Sequence, residues 1–566
     1  MKKLINRPED VVREMIEGLL ALYPTLKRVR GHNVVFRSDA ASIRDTQVAL
    51  ISGGGSGHEP AHAGFVGDGM LSAAVAGEVF TSPTTDSVLA AIRAVTGKAG
   101  ALLIVKNYTG DRLNFGLAAE RARAEGLNVD HVVVADDVAL AQEKETAGAR
   151  GLAGTILVHK IAGAAAAEGK SLAEVKAIGD EVIKNVGTMS VSLSAGTSPS
   201  SGRQSFTLSD DEVELGLGIH GEPGVSRARL LPADDLAKKL VVPILEATNI
   251  VPGDPIIALI NNLGTTTVME QAIVARGVLR YLQSSNLKVE RLYAGTFMSS
   301  LDMAGVSVSL LRIDHRLLAW LDAPTSAPAW PNVARERPGD FHEIATLAPE
   351  GAARRPVPTR TPGRFDRTIL ACCNALLAAR DKLTELDRIT GDGDLGVNMA
   401  SVAEAIRRDL PSYPEDLAGS LQTLATTIQN GLGGSSGPLY AAFFLRASGT
   451  LAKSRENDPT SWAAAALDGC EAVSELGNAR PGDRTMLDAL VPFCTTLHDQ
   501  LQSGASLSRS LQRAAQAADE GAQATARLKA RRGRASYLGD RVLGHPDPGA
   551  VAAAIWLRAA VESLSA

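Results

Sequence analysis

The sequence has few aromatic residues, no excess of basic residues and no long apolar run. Phe, Trp and Tyr make up only 4% of its 566 residues, so its hydrophobic cores must be mainly aliphatic. No run approaches the roughly 20 apolar residues that span a bilayer, which argues against a membrane protein. The net charge of −5 argues against broad binding to nucleic acids or anionic membranes.

Cysteines are also scarce, and no C-x-x-C pair occurs, which disfavours a zinc ribbon or a thioredoxin-type redox site. We expect buried free thiols at all four positions: Cys372, Cys373, Cys470 and Cys494. Glu9, Asp10 and Glu14 fall where a signal peptide needs an unbroken apolar core. We therefore expect a cytoplasmic protein.

A Pro-rich segment divides the chain. Eight prolines and several arginines fall within residues 323–362, and prolines at this density exclude helices and central strands. We interpret the segment as a semi-extended linker. It separates a first domain, residues 1–322, in which we expect two subdomains, from a second domain, residues 363–566.

The two sides of this linker have different hydrophobic patterns. Short apolar runs alternate with helical patterns before it, which predicts an α/β region with strands at 48–51, 101–105, 131–135, 213–219, 256–260 and 306–313. After it, Ala- and Leu-rich segments at helical spacing predict an all-α region with helices at 369–386, 417–430, 439–453, 461–477, 485–502, 507–528 and 550–564.

Residues 58–62 match the H-E-x-x-H zinc pattern, which functions only when both histidines lie on one helix. His58 follows the glycines of residues 53–57, which we expect to form a turn, and Pro60 suits the first turn of a helix. We therefore expect His58 to precede a helix and do not predict a zinc site. Residues 163–171 resemble a phosphate-binding loop, but five residues rather than four separate the glycines, and their composition is helical.

Three segments of the α/β region place polar side chains next to glycines at the ends of predicted strands: SGGGSGH at 52–58, KNYTGD at 106–111 and GLGIHGEPG at 216–224. Ligands bind at the carboxyl ends of parallel strands. Lys106 directly after a buried strand indicates a bound partner. Asp111 fits a general base or, equally well, a surface ion pair. The glycines around His220 leave its imidazole open as a base or nucleophile.

The helical region carries three aspartates within eight residues, Asp387, Asp392 and Asp394. Close carboxylates repel one another unless cations neutralise them, and hard cations prefer oxygen ligands. The spacing does not fit an EF-hand, and a divalent site that clamps nucleotide phosphates fits better. Glycine-rich turns at 431–438, 482–488 and 544–550 precede predicted helices and could present amides to phosphate.

Taken together, these motifs resemble the ATP-dependent dihydroxyacetone kinase family over nearly the whole chain. The motifs SGGGSGHEP, KNYTGD, GIHGEPG, GDGD, GDRTMLDAL and ASYLGDR…GHPDPGA occur in the order found in that family. The resemblance implies an α/β ketose-binding region fused to a nucleotide-binding domain that is an antiparallel helical barrel. It also implies a homodimer and, because the helical domain is fused, ATP rather than a phosphocarrier protein as donor.

The resemblance assigns roles to individual residues. His220 matches the histidine that forms a covalent hemiaminal with the ketone, and His58 and Asp111 match the pair that contacts the substrate hydroxyls. Gly55, Ser56, Gly57 and Lys106 match pocket residues, and the three aspartates match magnesium ligands. Matches to nucleotide contacts are Leu395, Gly396, Val397, Asn398, Ser435, Ser436, Gly477, Met486, Arg534, Asp547, Pro548 and Gly549.

The implied activity is phosphorylation of a terminal hydroxyl of a small ketose by Mg-ATP, within one chain or between subunits. A kinase for erythrulose or another C4–C5 ketose would use the same histidine. Two further alternatives are a lyase that cyclises FAD to cyclic FMN at the nucleotide site and a non-catalytic ketose sensor. Retention of both His220 and the aspartate triplet argues against the sensor.

Overall fold

The computed structural model describes residues 2–140, 148–199, 202–204, 206–222, 224–332, 336–339, 362–454 and 458–565. The chain forms two compact units, Met1–Ile344 and Ala345–Ala566. The first unit is α/β and the second is helical, so the predicted fold class is confirmed. In the described part of the chain, no helix combines the length and apolarity that crossing a membrane requires.

The first sheet of the α/β unit has six strands in the order β1-β2-β4-β3-β5-β6. The four strands β4, β3, β5 and β6 are parallel, and β1 and β2 add an antiparallel edge. The strands are β1 (Leu26–Arg28), β2 (Val34–Arg37), β3 (Ala49–Ser56), β4 (Ala73–Val79), β5 (Ala101–Lys106) and β6 (Val129–Val134).

The second sheet also has six strands, in the order β11-β10-β12-β7-β8-β9, and all its pairs except β10–β11 are antiparallel. The strands are β7 (Val186–Ser192), β8 (Glu212–Leu215), β9 (Ser226–Arg229), β10 (Pro255–Asn262), β11 (Lys288–Gly295) and β12 (Gly305–Arg312).

Helices cover both sheets, so that the unit has five layers. The helices are α1 (Val11–Leu22), α2 (Ala40–Ile43), α3 (Thr85–Val95), α4 (Thr109–Ala124), α5 (Thr155–Ala167), α6 (Leu172–Asn185), α7 (Ala233–Thr248), α8 (Val268–Ser284) and α9 (His315–Asp322). Helices α3 and α4 pack on the outer face of the first sheet, and α7 and α8 on the outer face of the second. Helices α5, α6 and α9 share a core with both inner faces.

Helix α5 lies between the sheets because its sequence, TILVHKIAGAAAA, is apolar or small on nearly every side. A helix of this composition has no face suited to solvent. The next helix, α6, begins with a capping box in which Ser171 and Glu174 satisfy each other's backbone N–H groups.

The helical unit is a barrel of eight helices with α11 packed beside it. Neighbours along the chain pack on one another from α12 to α18, and α10 packs against both α12 and α18, which closes the ring. The helices are α10 (Arg364–Ala378), α11 (Arg380–Thr390), α12 (Leu395–Asp409), α13 (Leu417–Gly431), α14 (Ser436–Leu451), α15 (Pro459–Gly477), α16 (Leu487–Gln502), α17 (Leu507–Ala524) and α18 (Pro548–Ser565).

The structure corrects several element predictions. The predicted strand at 213–219 ends at Leu215, and the predicted helix at 369–386 is two helices that meet at Ala379. Helix α12 and six strands, β1, β2, β4, β7, β9 and β11, were not predicted. All four cysteines are buried free thiols, as predicted.

The linker between the two units begins later than predicted. Trp330 is buried against Tyr293 and Phe297, and the N–H of Ala329 donates to the carbonyl of Gly64 at 2.9 Å. Residues 324–332 therefore pack on the α/β unit and are not a linker. Residues 333–335 and 340–361 of the predicted linker lie outside the described residues.

Candidate active site

The glycines of β3 lie in a strand and not, as predicted, in a turn. The strand runs to Ser56. Its glycines are required because neighbouring segments leave no room for side chains there. A Cβ at Gly55 would lie 2.6 to 2.8 Å from backbone atoms of Phe80 and Thr81. A Cβ at Gly54 would lie 2.8 Å from Nζ of Lys106 and 3.6 Å from Oδ2 of Asp111. The absence of a side chain at Gly54 thus leaves space for the charged side chains of Lys106 and Asp111.

Lys106 is the last residue of β5, and Asp111 lies in the first turn of α4. Both are buried, which excludes the surface ion pair considered for Asp111. Neither Nζ of Lys106 nor Oδ1 of Asp111 has a hydrogen-bond partner. Burial lowers the pKa of Lys106, although the charges of Asp111, Glu222 and Asp136 partly oppose this shift.

His58 follows β3, and no α-helix begins there. Residues 57–62 form a bend and turns that lead to a single 3₁₀ turn, Ala63–Phe65, so the helix predicted after His58 is wrong. Nδ1 of His58 lies 2.9 Å from the carbonyl oxygen of Ser299. A carbonyl only accepts, so Nδ1 carries the proton and the buried, unpartnered Nε2 carries a lone pair. Burial, followed by the charges of Lys106 and His220, holds the pKa of His58 well below its usual value.

His220 lies in the loop between β8 and β9, and its side chain is 20% exposed. Its ring contacts those of His58, Phe80 and Tyr108 edge-on, with centroids 4.8, 5.3 and 4.6 Å away. Nδ1 of His220 lies 2.8 Å from Oε1 of Glu222. The imidazole therefore stands in an aromatic enclosure with one nitrogen bound to a carboxylate.

The loop after β11 holds the two histidine segments together. The N–H of Leu301 donates to the carbonyl of Gly57 at 2.7 Å, and the hydroxyl of Ser300 donates to the carbonyl of Ile219 at 2.5 Å. Residues from the three predicted segments and from this loop, which was not predicted, thus converge in the α/β unit.

Not every predicted pocket residue offers a free group. The Ser56 hydroxyl donates to the carbonyl of Gly77 at 2.7 Å, so it is committed to the backbone. Gly57 adopts a φ of 101° and packs on the Phe80 ring. Four residues of the enclosure were not predicted: Phe80, Tyr108, Glu222 and Ser299. KNYTGD and GIHGEPG contain Tyr108 and Glu222, but Phe80 and Ser299 carry no sequence signal.

The helical unit brings the three predicted aspartates together. One carboxylate oxygen from each of Asp387, Asp392 and Asp394 lies within 4.8 Å of the others. Oδ2 of Asp387 accepts hydrogen bonds from the N–H groups of Asp394 and Leu395, at 2.9 and 3.1 Å. This contact fixes the end of α11 against the start of α12. The oxygen-only donor set suits a hard cation such as Mg²⁺.

Contacts near their first residues group the starts of four helices of the barrel, α12, α14, α16 and α18, at one end. Unpaired N–H groups and the helix dipole make such ends favourable for anions. Leu395–Asn398 start α12, Ser435 and Ser436 start α14, Met486 caps α16, and Asp547–Gly549 start α18. Gly477 ends α15 at the same end of the barrel.

Short distances between these helix starts support their grouping at one end of the barrel. A Cβ at Gly433 would lie 4.0 Å from Nδ2 of Asn398, and one at Gly549 would lie 3.9 Å from the backbone nitrogen of Met486. The predicted side-chain contact of Arg534 lies outside the described part of the chain.

The turns before α16 and α18 are joined by a buried arginine that was not predicted. Arg484 has a left-handed φ of 65°, and its guanidinium donates to the carbonyl of His545 at 2.9 Å. Its Nη1 lies 3.9 Å from Oδ2 of Asp547. Burial raises the pKa of Asp547 to about 6, although the N–H of Ala550 and the charge of Arg484 partly oppose the shift.

Comparisons with known proteins agree with this two-part geometry. Residues 17–329 match the Dak1 domain and residues 389–562 match the DAK2 domain. The chain is 46% identical to a putative 3,4-dihydroxy-2-butanone kinase of Solanum lycopersicum, over 99% of this chain and 97% of that protein. It is 44% identical to the triokinase/FMN cyclase of Homo sapiens, over 100% and 99%.

Among solved structures, the dihydroxyacetone kinase from C. freundii in complex with AMP-PNP and Mg²⁺ matches with a TM-score of 0.63. The two are 35% identical, and the match covers 99% of each chain. Fold, site and relatives define the chain as a kinase. It belongs to the dihydroxyacetone kinase family.

Proposed function

We propose that the protein transfers the terminal phosphoryl group of Mg-ATP to a terminal hydroxyl of a small ketose held covalently on His220. The observation that carries this proposal is a set of buried polar atoms without partners around His220: Nε2 of His58, Nζ of Lys106, the Tyr108 hydroxyl and Oδ1 of Asp111. Each such atom costs about 1–3 kcal/mol if it stays unpaired. A ligand with several oxygens would satisfy them.

The geometry around His220 favours a carbonyl compound. A ketone carbon is electrophilic, so a neutral imidazole nitrogen can add to it, whereas a polyol such as glycerol offers no such carbon. Covalent attachment holds a small sugar that has too few atoms for tight non-covalent binding. It also orients the terminal hydroxyl for transfer.

His58 and Asp111 are the proposed bases for that hydroxyl. His58 stays neutral because its pKa is held low, and Nε2 keeps its lone pair. Asp111 offers a buried carboxylate oxygen without a partner. Either group could accept the hydroxyl proton as phosphoryl transfer proceeds. Lys106, without a partner of its own, would donate to a ligand oxygen.

In the helical unit, Asp387, Asp392 and Asp394 are the proposed magnesium ligands, since their oxygens converge and a relative's structure contains AMP-PNP with Mg²⁺. When bound, the ion would neutralise phosphate charge during transfer. The helix starts that contain Asn398, Ser436 and Gly549 would donate N–H groups to the nucleotide.

Steady-state kinetics with saturating Mg-ATP test the proposal on dihydroxyacetone, both erythrulose enantiomers and glycerol. Shape and hydrogen bonding alone would separate ketose from glycerol by about 10–200-fold. An adduct adds a step that glycerol cannot take, so the ratio of kcat/KM should exceed that range. Equal efficiency with glycerol would remove the carbonyl requirement.

The same panel identifies the ketose. The name of the tomato relative points to a four-carbon ketose, and that of the human relative to a triose. Erythrulose should therefore be a substrate or a competitive inhibitor.

A second activity, cyclisation of FAD to cyclic FMN, is supported by the name of the human relative, which aligns over the whole chain. It would need the nucleotide site but not His220. Chromatography of FAD incubated with the protein and Mg²⁺ tests it: His220→Asn should keep this activity and Asp392→Asn should lose it.

The homodimer, which the resemblance implies, and the cytoplasmic location, which Glu9, Asp10 and Glu14 led us to expect, remain predictions. Sedimentation equilibrium measures the first and cell fractionation the second.

A further inference from the structure

Glu222 is the only hydrogen-bond partner that the described residues provide for the His220 ring, and the proposed function leaves it without a role. One carboxylate makes two contacts with the same residue. Oε1 lies 2.8 Å from Nδ1 of the His220 ring, and Oε2 accepts from the His220 backbone N–H at 2.9 Å. The carboxylate therefore fixes both the backbone and the ring of His220.

Glu222 is ionised throughout the neutral range. Burial alone would raise its pKa, but the hydrogen bond and charge of His220, helped by Arg150, outweigh burial and hold the pKa at about 2. A carboxylate accepts hydrogen bonds and cannot donate them. Nδ1 of His220 must therefore carry a proton. In the neutral ring the free lone pair is then on the other nitrogen, Nε2.

Arg150 and Gly218 lie beside the Glu222 carboxylate. Arg150 forms an ion pair with Asp137 at 2.6 Å and donates to the carbonyl of Gly216 at 2.8 Å. Gly218 has no space for a side chain, because a Cβ there would overlap Oε2 of Glu222. The side-chain charges thus alternate toward the His220 ring: negative at Asp137, positive at Arg150 and negative at Glu222.

We infer that Glu222 is the positioning residue that sets the nucleophilic tautomer of His220 and balances the charge of its ketose adduct. This inference rests on the proposed covalent function. The Nε2 lone pair forms a bond to the ketone carbon, and the carbonyl π electrons move to oxygen, which takes a proton from a solvent water to become a hydroxyl and leaves hydroxide in the bulk solvent. The ring keeps its Nδ1 proton and becomes a cation, which the Glu222 carboxylate stabilises.

Glu222→Gln separates this role from simple packing. Glutamine has nearly the same shape, but it has one acceptor where the glutamate has two. If its oxygen accepts the His220 backbone N–H, its NH₂ group faces Nδ1 and forces the proton to Nε2, which abolishes the nucleophile. The variant also removes the negative charge beside the adduct.

The matched control is Glu214→Gln. Glu214 is another buried glutamate of the same region, and its carboxylate accepts from the N–H of Gly224 at 2.9 Å and pairs with Arg227 at 3.0 Å. It supports the same loop but makes no hydrogen bond to His220. A loss caused only by a loosened loop should appear in this variant as well.

The adduct is measured by ¹³C NMR with dihydroxyacetone labelled at the carbonyl carbon, whose signal moves from the carbonyl to the tetrahedral region on addition. We expect the fraction of adduct to fall by at least about tenfold in Glu222→Gln and to be nearly unchanged in Glu214→Gln. Gly218→Ala, which displaces Glu222 without removing its charge, should behave like Glu222→Gln. Thermal unfolding checks that each variant is folded.

The tautomer is measured in the free protein by ¹⁵N NMR of labelled histidine, with His220→Asn used to assign the signals. The parent should show Nδ1–H at His220, and Glu222→Gln should shift the proton toward Nε2. An unchanged tautomer and an unchanged adduct in Glu222→Gln, or an equal loss in Glu214→Gln, would overturn the inference. Absence of any adduct in the parent would instead reject the covalent function, while the tautomer spectrum would still test Glu222.

Discussion

The two candidate sites are built on opposite principles. Around His220 the polar groups are buried, several lack partners, and burial shifts the pKa values of His58 and Lys106. At the barrel end, Asp392 and Asp394 are exposed, and the groups available to a ligand are helix starts. A small neutral sugar offers few groups for binding, so a pocket for it must be preformed and buried. A metal–polyphosphate carries its own charge and needs only open carboxylates and N–H groups.

The sharpest way to break this comparison is to remove the nucleophile. His220→Asn should lower kcat/KM for dihydroxyacetone by at least about 10³-fold, because both the adduct and its orientation are lost. Calorimetry should show Mg-ATP binding unchanged, since the nucleotide groups lie in the other unit. Phosphorylation at the parental rate would show that His220 is not the covalent residue.

The reverse experiment removes a proposed metal ligand. Asp392→Asn should weaken Mg-nucleotide binding by at least the roughly 10–100-fold typical of losing an outer-shell partner of a metal site. Ketose binding, followed by the ¹³C signal of the adduct, should stay at the parental level. If both ligands were lost together, the assignment of one ligand to each unit would be wrong.

A smaller effect is expected from filling the bare strand. Gly55→Ala places a Cβ within 2.8 Å of the backbone of residues 80–81, and overpacking of this kind costs about 1–3 kcal/mol. Chemical denaturation measures the loss, and ketose turnover should fall with it. Gly18→Ala is the control: it lies within α1 with nothing within 4 Å of its Cβ, so it should be neutral or slightly stabilising.

The smallest effect concerns pH and the helical unit. Asp547 has a folded pKa of about 6, above its value of 3.8 in the unfolded chain. Below pH 4 Asp547 is protonated in both states, and between about pH 4 and 6 it ionises only in the unfolded chain, so its contribution to the stability of the parent falls as pH rises. Asp547→Asn cannot titrate, so its stability relative to the parent should increase across this range and then level off.

Denaturation of both proteins from pH 4 to 7.5 measures this difference. Loss of the charge beside Arg484 shifts the absolute stability of the variant, so the pH dependence is the quantity to compare. A constant difference across the range would show that the pKa of Asp547 is not raised.

The sequence predicted the fold class and the main site residues because apolar runs and glycine–polar clusters are local signals. It missed strands such as β4, AAVAGEV, and β7, VGTMSVS, because small and polar residues hide their pattern. It placed Gly53–Gly55 in a turn because glycine usually marks one. Only the neighbouring segment at Phe80 and Thr81 shows why a strand needs glycine there.

Other functional residues depend on contacts that no local pattern contains. Ser299 reaches His58 from 241 residues further along the chain. Glu222 lies two residues after His220 in the quoted motif, but its role depends on how the loop returns its carboxylate to the ring. The Arg484–Asp547 contact likewise joins two turns far apart in the sequence.

The glycines of β3 also determine where this enzyme could be engineered. Side chains at Gly53 or Gly55 would collide with neighbouring backbone, so the strand itself offers no positions for altering substrate preference. The positions better suited to substitution are Phe80 and Tyr108, whose rings contact His220. A library aimed at bulkier or branched ketoses should therefore diversify these two side chains and leave the strand untouched.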